Sequence, residues 1–284
     1  MTIALAFAAG LGAVLLLLAM TSAVLNQPVL ARENYRGFTL PTAVGVVLVV
    51  AVIAVDGSRT MLGLAGLGDV AAAPARVLLL ASVAGFGMLG LVDDLLGDAH
   101  DRGLRGHLRP LRERRVTTGF IKLGGGIALS LMLAGAINGD RPLRVLIDGA
   151  LIALAANLGN LLDRAPGRTL KWGLVCYVPV AVVAGSSATG VALAVVLGSS
   201  AGLLRGDLTE KFMLGDTGAN ALGAALGCAT VLVAGTAARN MVALVLLVLT
   251  LLSEVVSFSR IIRVVVPLRL FDQLGARSSD RDQS

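Results

Sequence analysis

The chain has 284 residues, 56% of them hydrophobic and 15% charged, with a mean hydropathy of +0.85. Soluble domains carry about 25% charged residues, so an ordinary soluble protein is excluded. The net charge of +6 points to membrane topology and not to nucleic acid, because the basic residues gather between apolar runs.

Taken in chain order, the apolar runs predict about nine membrane-spanning helices: residues 3–25, 40–55, 75–96, 118–137, 144–162, 171–186, 188–204, 217–235 and 239–259. A bilayer-crossing helix needs ~20 apolar residues. The first run lacks the basic start of a signal peptide and is kept as a span. The second and sixth are short, and GSSATG (185–190) makes a tight turn between the sixth and seventh. One all-α domain is expected over residues 1–271, followed by a polar tail, 272–284, expected to be disordered. Cys176 and Cys228 lie inside apolar runs, with nothing to suggest a disulfide or metal site.

With the N-terminus outside, 19 of the 24 Lys and Arg residues fall in inner loops or the C-terminal tail. Only Arg59, Arg76, Arg141, Arg144 and Arg239 fall elsewhere. Inner loops are enriched in basic residues, so this orientation is expected, with the protein in the inner membrane of a bacterium. Four acids then land on the cytoplasmic side. Asp93 and Asp94 close the third span in GLVDDLLGD, Asp163 closes the fifth in NLGNLLD, and Asp216 opens the eighth in FMLGDTGANALG. A carboxylate beside hydrocarbon is expensive, and the C-terminal end of a helix is electrostatically the wrong end for an acid pair.

Hard oxygen ligands at an aqueous rim suit Mg²⁺, or Mn²⁺ in its place. Mg²⁺ takes one or two carboxylates and fills its shell with water and phosphate. The basic residues of the same loops, Arg36 among them, would hold the rest of a polyphosphate. In Gly215-Asp216-Thr217-Gly218, Asp216 reads either as an N-cap or as a metal ligand beside helix N–H groups, at Thr217 and Gly218, that are open to phosphate. Asn157, Asn160 and Asp163 recur every three residues along one side of a helix, where they read as a polar wall or as helix packing. The basic loop from Arg102 to Arg115 reads by default as anionic-lipid contact.

GLVDDLLGD, NLGNLLD and FMLGDTGANALG, in that order, resemble the signature of the polyprenyl-phosphate N-acetylhexosamine-1-phosphate transferases. Pro41-Thr42 with Gly45, TTGFIKLGGG (117–126) and SEVVSFSRIIR (253–263) fit as well, so the resemblance runs from about residue 26 to 270. It implies a Mg²⁺-dependent enzyme that transfers a sugar-1-phosphate from a UDP-sugar to polyprenyl phosphate in cell-envelope glycan synthesis such as peptidoglycan, releasing UMP. Asp93 and Asp94 match the acid pair that handles the lipid phosphate, and Asp216 the acid that coordinates Mg²⁺, with Asp93 beside it. Asn160 and Asp163 match the loop lining the nucleotide side, Lys122 a basic position near the phosphates, and Glu254 an acid of the penultimate helix. A homodimer is a family expectation.

The chain departs from the family pattern where sugar and nucleotide should be read. Gly97 stands where a Lys is usual, and Asp163-Arg164-Ala165-Pro166-Gly167 lacks the second acid of Asp-Gly-x-Asp-Gly. PLRLFDQLG (267–275) replaces a histidine run, and the only histidines are His100 and His107. Two other readings therefore stand beside the transferase. One is a non-catalytic relative that binds lipid phosphate or nucleotide as a membrane scaffold. The other is a transporter, suggested by Glu254 and Asp148 in or beside spans, although no internal repeat is evident.

Overall fold

A computed structural model describes residues 1–68, 73–97 and 118–276. The basic loop, both histidines and the tail from residue 277 lie outside the described residues. The helices are α1 (Ile3–Leu25), α2 (Gly45–Leu64), α3 (Pro74–Leu96), α4 (Thr118–Asn138), α5 (Pro142–Leu162), α6 (Arg168–Ala184), α7 (Ala188–Leu208), α8 (Gly215–Val233), α9 (Thr236–Val255), α10 (Phe258–Val264) and α11 (Val266–Gln273). Between α1 and α2 lie a 3₁₀ turn (Pro28–Leu30) and two short strands, β1 (Ala31–Glu33) and β2 (Thr39–Pro41).

Each of the nine apolar runs contains a helix, and eight of these helices are long and apolar enough to cross a membrane. The chain is an all-helical, multi-pass membrane protein. The exception among the nine is α6. Its 17 residues span about 25 Å, short of the ~30 Å hydrocarbon layer, and Pro179 lies inside it. Apolar side chains such as Leu16 on α1, Met88 on α3 and Val248 on α9 are exposed, as outward faces of a lipid-embedded bundle should be.

The second run needs correcting: its helix covers Gly45–Leu64, not 40–55. Residues 40 and 41 belong to β2, and residues 42–44 lead out of the hairpin, with Ala43 at φ 58°. The helix then runs on through Asp56, because that charge is matched. Buried Arg76 of α3 donates to the Asp56 carboxylate and, at 2.6 Å, to Thr60 Oγ1.

α8 is the centre of the bundle. It packs against α2, α3, α5, α6 and α7 and is built from small buried residues between Gly215 and Ala229. Apolar surface gives helices little reason to associate inside lipid, so close backbone packing has to supply the attraction. Two contacts depend on having no side chain. A Cβ on Gly90 of α3 would stand 2.3 Å from the Asp216 carbonyl oxygen, and one on Gly159 of α5 would stand 2.3 Å from that of Ala219. These approaches bring the C-terminal ends of α3 and α5 onto the N-terminal end of α8, and with them the three acidic motifs.

The hairpin lies at the same end. Ala31, Arg32 and Glu33 pair antiparallel with Pro41, Leu40 and Thr39. Beyond β2 the backbone is stitched to the segment before α8: Met213 N donates to Pro41 O at 2.8 Å and Gly45 N to Leu214 O at 2.8 Å. Asn34, in the hairpin turn, donates to Glu210 Oε1 at 3.0 Å. The α-only expectation omitted this hairpin, whose strands are only three residues each.

Candidate functional site

At this end the Lys122 ammonium of α4 lies between two carboxylates. It donates to Asp93 Oδ2 of α3 at 3.2 Å and makes a short ion pair with Asp216 of α8. Asn160 of α5 completes the group. With its amide oriented to suit its neighbours, its oxygen accepts from Lys122 Nζ at 2.9 Å and its nitrogen donates to Asp216 Oδ1 at 2.5 Å. Four helices thus each contribute one polar side chain to one cluster. All four side chains are only partly exposed, so the ion pairs are stronger than they would be in open water.

Asp94, the other acid of the pair, does a different job. Its Oδ1 accepts from Asp216 N at 2.9 Å, and its Oδ2 accepts from Thr217 N at 2.9 Å and Thr217 Oγ1 at 2.6 Å. These N–H groups belong to the first turn of α8, where intrahelical partners are lacking. Asp94 is therefore a cap delivered from a neighbouring helix, and its charge sits at the favourable end of the α8 dipole. Asp216 is not the N-cap; that position is Leu214. The expected phosphate site at Thr217 and Gly218 is corrected accordingly. The Thr217 N–H is taken by Asp94 and the residue is buried. Gly218 is packed so tightly that an added Cβ would stand 2.8 Å from Gly45 Cα.

Asp163 follows the last turn of α5 as its C-cap residue. Burial, reinforced by the negative charges of Asp207, Asp216 and Asp94, raises its pKa well above the usual carboxylate range, opposed by Thr169. Asp163 is therefore near enough to Asp207, Asp216 and Asp94 for their charges to act on it. Two other expected residues do not join the cluster. Asn157 reaches Thr250 Oγ1 of α9 at 3.5 Å, and Arg36 pairs with Glu210 at 3.4 Å. Glu254 is exposed near the end of α9.

Several residues at this end were missed from sequence. Asp207 is buried near the end of α7 and accepts from Gly167 N at 2.8 Å, fixing the turn after Asp163. Arg32 donates to the carbonyls of Asp94 at 3.3 Å and Leu95 at 3.1 Å, so it caps the C-terminus that carries the acid pair. Buried Glu210 anchors the hairpin. A weak signal was present: RGDLTEKFMLGD carries three acids in the twelve residues up to Asp216, more than a short connecting loop needs.

The oxygen donors are of the right chemistry for Mg²⁺. Among the described residues no group of three or more His, Cys, Asp or Glu is arranged to hold a metal ion. Mg²⁺ can manage with two carboxylates when a substrate phosphate supplies further oxygens, and Asp93 and Asp216 are the pair that would serve it. The ammonium between them marks the position as one that attracts a cation, and a metal there would compete with Lys122. No protein-family model matches the chain, and no curated protein sequence matches it either.

Proposed function

We propose that the chain is a membrane transferase that moves a sugar-1-phosphate, of the N-acetylhexosamine type, from a UDP-sugar to a polyprenyl phosphate such as undecaprenyl phosphate, releasing UMP. The observation that carries this reading is the convergence of Asp93, Lys122, Asn160 and Asp216 from four helices at one end of the bundle. The resemblance of the three ordered motifs to the polyprenyl-phosphate transferases supports it. The proposed orientation puts this end in the cytoplasm, where a water-soluble nucleotide meets a lipid-held acceptor.

In the reaction a lipid-phosphate oxygen attacks the phosphorus that carries the sugar. A new P–O bond forms, the diphosphate P–O bond breaks, and UMP leaves with its electron pair. Two anions must approach each other, so charge neutralisation and positioning provide most of the catalysis. Mg²⁺, held by Asp93 and Asp216 together with substrate phosphate, would supply positive charge at the diphosphate. Lys122 supplies a fixed cation beside it, and Asn160 aims that cation. The lipid phosphate is largely ionised at pH 7, its second pKa being about 6, so Asp93 serves to orient and not as an obligatory base. Asp163 stands at the edge of the site, where burial and the neighbouring carboxylates favour its protonated form. Asp94 keeps the first turn of α8 in place.

The second reading, a scaffold that binds the lipid phosphate without turnover, is favoured by Pro166 standing where the family has its second nucleotide-loop acid. UMP release by purified protein decides between the two. The protein is incubated with Mg²⁺, undecaprenyl phosphate and a panel of UDP-sugars, with Asp216→Asn in parallel. Release with one sugar, lost in the variant and on chelation, establishes the transferase. Activity that survives in the folded variant refutes the assignment of Asp216. Silence across the panel from protein that is still stabilised by the lipid selects the scaffold.

A further inference from the structure

At the opposite end of the bundle α5 and α9 begin side by side, and the sequence there is electrostatically odd. Neither helix has a side-chain cap or an acid in its first turn. Each instead carries an arginine close to its start, Arg144 and Arg239, where the helix dipole already presents positive charge. One carboxylate lies between them: Asp148, fully buried, takes Arg144 Nη2 on one oxygen and Arg239 Nη1 on the other, each at 2.5 Å. Asn138 adds a hydrogen bond at 3.1 Å. Two guanidiniums on one carboxylate leave a net positive charge, and Arg141, the residue before α5, adds to it. The Nε atoms of Arg144 and Arg239 are buried without a hydrogen-bond partner among the described residues.

Beside this network is a cleft of about 400 Å³. Arg141, Arg144, Thr236 and Asn240 form its polar lining, and Leu143 and Ile147 are on its apolar side. Asp140, next to Arg141, is exposed and does not line it. Leu143, Leu146 and Met241 stand exposed around it, where acyl chains would lie. We infer that this cleft is an anion site for a phosphate group, carried by an acidic phospholipid or free in solution, on the face opposite the transferase site. Two helix N-termini and an arginine excess supply the charge, and the cleft supplies the room.

The test measures thermal unfolding of the full chain in three settings: phosphatidylcholine nanodiscs, nanodiscs containing phosphatidylglycerol, and phosphatidylcholine nanodiscs with added inorganic phosphate. Arg141→Gln and Thr236→Val are run alongside. Both residues line the cleft. Asn240 is left in place because its Oδ1 accepts from Arg144 Nη1 at 2.7 Å and so belongs to the buried network, which both variants keep. A ligand that binds only the folded state raises its unfolding temperature. Phosphatidylglycerol should raise the midpoint by several degrees in the native chain, with at least half of that shift lost in either variant. The same pattern with inorganic phosphate alone would assign the site to a free anion. Equal midpoints in all three settings, or a phosphatidylglycerol shift unchanged by both substitutions, would overturn the proposal. The transferase assay above is independent of this result.

Discussion

Asp94 and Thr217 are joined twice: the Thr217 backbone N–H at 2.9 Å and its hydroxyl at 2.6 Å both donate to one carboxylate oxygen of Asp94. The pair locks the end of α3 to the start of α8. It also explains an acid at what is, for its own helix, the wrong end: the charge answers the positive terminus of the neighbour. Replacing Asp94 with Ala leaves two N–H groups without a partner, at a cost of about 1–3 kcal/mol. Asp94→Asn should cost less, since its carbonyl can still accept. Thr217→Val should cost ~1 kcal/mol and should be much less harmful once Asp94 is Ala. A double-mutant cycle by thermal or denaturant unfolding measures this coupling, and additive losses would show that the two residues act separately.

Lys122 occupies the position between Asp93 and Asp216 that a metal would share. Lys122→Gln removes the ammonium and leaves two neighbouring carboxylates repelling one another. In chelator the variant should melt below the native chain. Added Mg²⁺ should raise its melting temperature by more than it raises that of the native chain, because the ion no longer competes with a tethered cation. If the chain is the proposed transferase, UMP release by this variant should fall by at least tenfold, since a fixed charge beside the substrate phosphates would be lost. Mg²⁺ shifts of equal size in both proteins would mean that the ion binds elsewhere.

The acids at the helix ends are legible in the sequence because a carboxylate next to ~20 apolar residues has no cheap explanation. Their division of labour is not. Asp93 and Asp94 are adjacent in the chain, yet successive helical residues point about 100° apart, so one faces Lys122 and the other faces α8. Which does which depends on the rotation of α3, set by Gly90 against α8, and no local pattern encodes that. The α2 boundary is hidden for a related reason. Asp56 looks like the end of an apolar run until Arg76, twenty residues later, is seen to neutralise it. Asp207 and Glu210 read as ordinary loop charges, and only the folded chain shows them buried beneath the turn after Asp163 and the hairpin.

Arg168 holds the C-terminal helices in place. Its guanidinium donates to both oxygens of Asp272 at 2.7 Å and to Ser259 Oγ at 3.0 Å, while Lys171 donates to the carbonyls at the end of α11. Asp272, assigned from sequence to a disordered tail, is thus pinned to the start of α6. A lysine cannot reproduce the two-pronged contact, so Arg168→Lys and Arg168→Ala should both release α11. Limited proteolysis checks this: cleavage between residues 264 and 276 should become several-fold faster in both variants. Unchanged cleavage would mean that Trp172, edge-on to Phe271 with ring centroids 5.0 Å apart, suffices to hold the helix.

Asp163 gives the protein a pH dependence whose sign follows from its surroundings. Burial and the charges of Asp207, Asp216 and Asp94 raise its folded-state pKa well above the usual range, whereas in the unfolded chain it titrates near 3.9. The folded state therefore holds the proton more tightly. Its contribution to stability is fully present below the unfolded pKa and is lost as pH rises through the folded one. Asp163→Asn carries no titrating group, so its melting temperature relative to the native chain should rise as pH goes from about 4 to 8. If the carboxyl is also needed in the site, UMP release should fall in the same variant even where it is the more stable protein. Unfolding curves at a series of pH values, paired with the assay, separate the two effects. A stability difference that does not change with pH would show that Asp163 titrates alike in the folded and unfolded chain.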